Sequence, residues 1–122
     1  MANYYLDSGK AITSGLVSAL TSLVPKYIGI GTGAGPTAST ATALTTEVET
    51  RATGTVTRAQ TTVANDSMVI DGTITLGTAR VLTEWMIFDA STVGNAFIGG
   101  TQTSLSLASG DSIRIVATIK WA

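Results

Sequence analysis

From Ser112 to Trp121 the chain places Ile113, Ile115, Ala117, Ile119 and Trp121 at alternate positions, and the mostly polar Ser112, Arg114, Val116, Thr118 and Lys120 at the others. A period of two is the mark of a β-strand with one buried face, because successive side chains of a strand point to opposite sides. The same period returns at Met68, Ile70, Ile74 and Leu76, between which stand Val69, Asp71, Thr73 and Thr75. Threonine is abundant, and its branched β-carbon suits a pleated strand while its hydroxyl accepts solvent or a neighbour. The chain is expected to be mainly β.

The length, 122 residues, allows one domain with its own core. Apolar residues make up 44%, but charged residues only 12%, about half the usual share. A surface this neutral gives little colloidal repulsion and favours association with like or unlike subunits. The cations Lys10, Lys26, Arg51, Arg58, Arg80, Arg114 and Lys120 are scattered and the net charge is −1, so no electrostatic footprint for nucleic acid is expected. There is no cysteine, hence no disulfide and no thiolate metal site, and no histidine.

Strands and turns follow one another from Tyr27. Tyr27–Ile30 reads as a short buried strand running into the glycine-rich Gly31–Pro36, and Pro36–Thr46 reads as a loop. A strand pair is expected over Thr53–Ala64 and Ser67–Leu76, joined by turn chemistry at Asn65-Asp66. The near-continuous apolar run Val81–Asp89 predicts a central strand covered on both sides. Ala96–Gly99 and Thr101–Leu107 follow as two further pieces, and the turn Ala108–Asp111 leads into the last strand. Six to eight short strands at turn-punctuated spacing indicate an antiparallel sandwich or barrel.

The N-terminal segment differs. Ile12, Leu16, Leu20 and Leu23 recur at helical spacing over Ala11–Val24, Asp7 or Ser8 stands where a cap belongs, and Pro25 ends the pattern. This predicts an N-terminal arm with a short helix over residues 1–25, ahead of a β-domain over residues 26–122. The stretch fits a signal peptide poorly, and its fourteen residues fall short of the roughly 20 needed to cross a bilayer, so no membrane partner is expected. The partner-binding candidates are Tyr4, Tyr5, Leu6, Leu16, Leu20 and Leu23, since apolar surface at a chain end is costly unless covered. The alternative is that this face packs on its own domain.

Catalytic signatures are weak. Gly29-Ile30-Gly31-Thr32-Gly33-Ala34 has the spacing of a dinucleotide fingerprint, but that motif aims a helix N-terminus at pyrophosphate, and here Pro36 and a Thr-rich stretch follow. The glycines are read as a bend or bulge. The eight carboxylates show no calcium-loop spacing, and no serine sits in a nucleophile motif. The expected residues for catalysis, cofactor binding and metal binding are therefore none, and an enzyme is not expected. Trp85, Trp121 and the tyrosines could form a stacking platform for sugars, but Trp121 shares the parity of the isoleucines and Trp85 lies in the most apolar strand, so both are read as core. Asn65-Asp66-Ser67 fits a glycosylation sequon and is read as a turn.

Taken in order, Lys26–Gly33, Thr42–Val48 leading to Arg51, Leu82–Ala90 and Leu107–Ile113 resemble the small β-structured virion proteins of tailed bacteriophages, of the capsid decoration or cement type. The resemblance covers about residues 26–122 and leaves the arm unmatched. It implies a jelly-roll-like antiparallel β-sandwich that forms homotrimers on the outer head surface and bridges neighbouring major capsid proteins. The same sequence style occurs among phage tail, fibre and baseplate proteins, which is the alternative reading. One departure stands at Trp85-Met86, where similar proteins often carry a small residue and glycine.

Overall fold

A computed structural model describes residues 3–17, 24–59 and 67–120, with the side chains of 14–17 left aside. The fold is mainly β, with antiparallel sheets and one short helix. The elements are β1 (Asn3–Tyr5), α1 (Asp7–Val17), β2 (Tyr27–Gly31), β3 (Glu47–Thr53), β4 (Thr55–Ala59), β5 (Ser67–Thr75), β6 (Arg80–Phe88), β7 (Ala96–Leu107) and β8 (Ser112–Lys120). They form a five-stranded sheet in the order β1-β7-β6-β2-β3 and a three-stranded sheet in the order β4-β5-β8.

The strands at the centre of the larger sheet are the most apolar. In β2, Ile28 and Ile30 are buried, and in β6 so are Leu82, Met86, Ile87 and Phe88. Ile28, Ile30, Leu82 and Ile87 share one core with Ile70, Ile74 and Ala117 of the smaller sheet, and Ile113, Ile115 and Ile119 pack against it. That is the alternation expected of β8, and it sets β8 with its apolar face toward the larger sheet. A second core of Leu6, Leu44, Met86, Phe88 and Ala96 takes from β6 the residues that alternate with Trp85 and Ile87 of the first. Leu44 anchors the expected loop over 36–46 there.

Several expectations change in detail. Of the strand predicted over Thr53–Ala64, Thr53 ends β3, Thr55–Ala59 is β4, and residues 60–64 lie outside the described residues: the chain passes from the larger sheet to the smaller at Gly54, whose N–H donates to the Lys26 carbonyl at 2.7 Å. β3 itself was not foreseen, because a bulge hides its period. Opposite the single residue between Ile28 and Ile30, β3 has three residues between Val48 and Ala52, and Glu49 takes a φ of 63°. The two pieces expected from Ala96 to Leu107 are one strand. Gly99 and Gly100 do not turn the chain; they stand opposite Met86 and Trp85, and a Cβ on Gly99 would lie 2.9 Å from the Met86 methyl. The glycine at 99 leaves room for the Met86 side chain. β4 and β5 pair antiparallel as expected, from Thr55↔Asp71 to Ala59↔Ser67. The Asn65-Asp66 turn, Trp121, Leu20 and Leu23 lie outside the described residues.

The helix begins earlier than its apolar spacing suggests. The Leu6 N–H donates to Phe97 O, its carbonyl accepts from the Lys10 N–H at 3.0 Å, and α1 follows at once. Neither Asp7 nor Ser8 is the cap: Asp7 is in the first helical turn, where its charge suits the helix dipole, and the Ser8 hydroxyl donates to Ala96 O. The approach to β7 is so close that a Cβ on Gly9 would stand 2.1 Å from Phe97 O. Residues 3–5 of the predicted arm are an edge strand of the larger sheet, with Asn3↔Gly100 and Tyr5↔Ile98 in register.

Candidate functional site

The glycine-rich segment after β2 is held by one side chain. Glu84, fully buried on β6, accepts the N–H of Thr46 at 2.7 Å, of Thr45 at 3.0 Å and of Gly33 at 3.2 Å. Beside it the Thr83 hydroxyl donates to Gly33 O at 2.6 Å. A Cβ on Gly31 would meet Glu84 Oε1 at 2.2 Å, so this glycine makes room for the carboxylate. Burying a carboxylate is expensive unless hydrogen bonds replace water, and here three backbone donors do so. The segment that mimics a nucleotide fingerprint is thus filled by the chain's own acid.

Other carboxylates are occupied in the same way. Asp89 Oδ1 accepts the Asn95 N–H at 2.7 Å and closes the β6–β7 loop. Asp111 accepts the Ala108 N–H at 2.9 Å in the turn before β8, where Gly110 has a φ of 88°. Glu47 receives Arg51 through Nε at 2.8 Å and Nη2 at 3.0 Å, while Arg51 Nη1 donates to the carbonyls of Ala90 and Val93. The Arg51 guanidinium also lies 3.4 Å above the Phe88 ring. Glu49 joins Arg80 at 3.1 Å, Asp7 joins Lys10 and Asp71 joins Arg114. A hydrogen bond from Lys10 holds the Asp7 carboxyl below its ordinary value, and Arg114 does the same for Asp71. Every described carboxylate therefore has a structural partner, and among the described residues no cluster of three or more acids is placed to hold a metal ion.

A groove of about 490 Å³ lies between the two sheets at the β1–β7 side. On one side lie Tyr4 and Tyr5 of β1, Trp85 of β6 and Ile98 of β7; on the other lie six consecutive residues of β8, Ile113–Thr118. A run of consecutive residues lines a groove only if the strand presents its backbone edge to it, since side chains alternate. β8 pairs with β5 over its whole length, Ser112↔Thr75 to Lys120↔Ser67, without a shift of register. Its other edge pairs with no described strand. Val116, near the middle of that edge, is 52% exposed.

The predicted partner-binding residues are distributed unevenly around this feature. Tyr4 and Tyr5 are half-buried and line the groove. The Tyr5 hydroxyl is hydrogen-bonded to Thr13 of α1, and its ring meets that of Phe97 edge-on at 5.5 Å. Leu6 has no exposed surface: it packs against the chain's own Met86, Phe88 and Ala96, the alternative raised for the apolar N-terminal face. Leu16 falls within α1. Trp85 is half-buried on the core and also lines the groove. The sequence marks the β8 residues of the groove only as a strand with one buried face, because alternation shows which face of a strand is buried and not which edge lacks a neighbour. No protein family, curated protein or solved structure matches the chain.

Proposed function

We propose that this chain is a non-catalytic assembly subunit of the capsid decoration kind, a jelly-roll-like β-sandwich that binds the outer head surface of a tailed bacteriophage. The observation that carries the assembly reading is the β8 edge: nine residues with no proline, no bulge and no inward-facing charge, beside a half-apolar groove. Proteins that stay alone in solution blunt such edges, because unpaired N–H and C=O groups recruit other strands. The head-surface assignment rests on the sequence resemblance. The carboxylates support the non-catalytic reading, being engaged with backbone donors and cations rather than converging on a cleft.

The mechanism needs no chemistry. A homotrimer carries three copies of each weak contact, and once one is made the others form at high effective concentration, so modest contacts with adjacent major capsid proteins sum to firm attachment. The bridge then resists separation of capsomeres. Light scattering of the purified chain and cosedimentation with expanded tailed-phage heads test the reading. A trimer that sediments with heads supports it. A monomer that ignores heads overturns it, and cosedimentation with tails alone transfers the role to a tail or baseplate component.

A further inference from the structure

We propose that the open edge of β8 receives one extended peptide strand from a neighbouring subunit, with apolar side chains entering the groove over Trp85 and Ile98 and a carboxylate meeting Arg114. The inference rests on the assembly reading above and specifies the chemistry of the contact. Three observations carry it.

The first is the backbone. In an antiparallel ladder alternate residues turn their N–H and C=O away from the paired neighbour, so with β5 on one side of β8, half of these groups between Ile113 and Thr118 face the groove. They form a row of donors and acceptors spaced for another strand. The second is the room available. The larger sheet has five strands and the smaller three, and β1 and β7 bound the groove opposite β8. A strand added about 4.8 Å from β8 would stand over that part of the larger sheet, which no described strand of the smaller sheet covers. The groove, about 490 Å³ and bounded opposite β8 by β1 and β7, has room for one strand rather than for a further sheet layer. The occupant is therefore a single extended segment.

The third is charge. Arg114 is the one charged residue among the described residues that line the groove. Its side chain is 67% exposed, and Asp71 engages only its Nε and one terminal nitrogen, leaving further N–H groups of the guanidinium for a second carboxylate. A strand with apolar residues at alternate positions and an acid among the others matches both the floor and the rim.

The test uses the full chain with Trp121→Phe, so that Trp85 is the only tryptophan and reports on the groove. The probes are two nine-residue peptides of alternating threonine and valine, one with glutamate at its centre and one with lysine. The glutamate peptide should change Trp85 emission saturably and bind about tenfold more tightly than the lysine peptide, and Arg114→Ala should remove the difference. Proline is placed separately at Val116 and Ala117, since one of two successive residues turns its N–H to the open edge. That variant should keep its melting temperature and lose binding. Hydrogen exchange on the unsubstituted chain decides independently of folding: the glutamate peptide should slow alternate amides of β8. No saturable Trp85 response, equal binding of both peptides, or unaltered β8 exchange overturns the proposal. Heads that capture a proline variant unable to bind peptide would leave the decoration reading intact and remove the groove from it. Peptide binding without capture by heads would do the reverse.

Discussion

Glu84 and Thr46, 38 residues apart in sequence, are joined by a 2.7 Å hydrogen bond from the Thr46 N–H to the buried carboxylate. With the bonds from Thr45 and Gly33 it ties two loops, the glycine-rich one after β2 and the Thr/Ala one before β3, to the middle of the larger sheet. Replacing Glu84 by Ala leaves three part-buried backbone N–H groups without their acceptor, and an expected loss of about 3 kcal/mol follows from the cost of leaving such groups unpaired. Glu84→Gln keeps one acceptor oxygen but turns an amide N–H₂ toward a backbone donor, so its loss should be smaller. Urea unfolding ranks the two, and amide exchange at Gly33, Thr45 and Thr46 should rise in both.

Gly99 supports Met86 by being empty. Gly99→Val puts branched bulk against the Met86 methyl and should cost about 1–3 kcal/mol through overpacking. Met86→Ala alone should also destabilise, by leaving a cavity. The double variant should lose less than the sum of the two, because each change relieves the other, and a thermal-unfolding cycle measures that coupling.

Arg51 fastens the β6–β7 loop to the bulged edge of β3. Its guanidinium pairs with Glu47, donates to Ala90 and Val93 and stacks on Phe88, a geometry that a lysine ammonium cannot reproduce. Arg51→Lys should therefore lose about 2 kcal/mol despite keeping its charge, since hydrogen bonds to charged groups contribute about 1.5–3 kcal/mol each and only some survive. The loop over 89–95 should show the largest change in amide chemical shifts.

Asp71 links stability to pH. The hydrogen bond from Arg114 holds its carboxyl below the ordinary value of 3.8. A carboxyl depressed in the folded state binds its proton more readily when unfolded, so its stabilisation is present above pH 3.8 and is lost as pH falls below that toward the folded value. Carboxyl NMR titration should show the Asp71 transition moving back up in Arg114→Ala. The Asp7 carboxyl, held down by its hydrogen bond from Lys10, should respond to Lys10→Ala in the same way.

Leu6 separates a docking residue from a core residue. With no exposed surface and Met86, Phe88 and Ala96 around it, Leu6→Ala should cost about 2–5 kcal/mol. Tyr4 packs half-buried against that same core as well as lining the groove, so its truncation should cost less than that of Leu6 and alter binding too. Circular dichroism melts of the two variants distinguish the roles.

Local chemistry was legible where one strand or turn carried it. β5, β6 and β8 lie within a residue or so of their expected bounds, and the Ala108–Asp111 turn forms with Gly110 at positive φ. β3 escaped because three residues bulge where one would pair, so no period of two survives in Glu47–Thr53. β7 read as two pieces because Gly99-Gly100 looks like a break until Trp85 and Met86 are seen opposite. The cap misled for a similar reason: Leu6 is pulled to Phe97 by the sheet, and the helix starts where that contact leaves it. The groove lay beyond reading from the chain, as its sides come from Tyr4, Trp85, Ile98 and Ile115, residues with no sequence proximity.

The position of β2 between β3 and β6 bears on how the polypeptide matures. Tyr27–Gly31 is complete early in synthesis, yet its partner Glu84–Phe88 emerges more than fifty residues later. Until then a strand of Ile28 and Ile30 has one open side, and closure across that span delays the sheet relative to one built from neighbouring hairpins. A nascent chain halted before Glu84 would keep that apolar strand accessible to chaperones, whereas one extended past Phe88 would withdraw it.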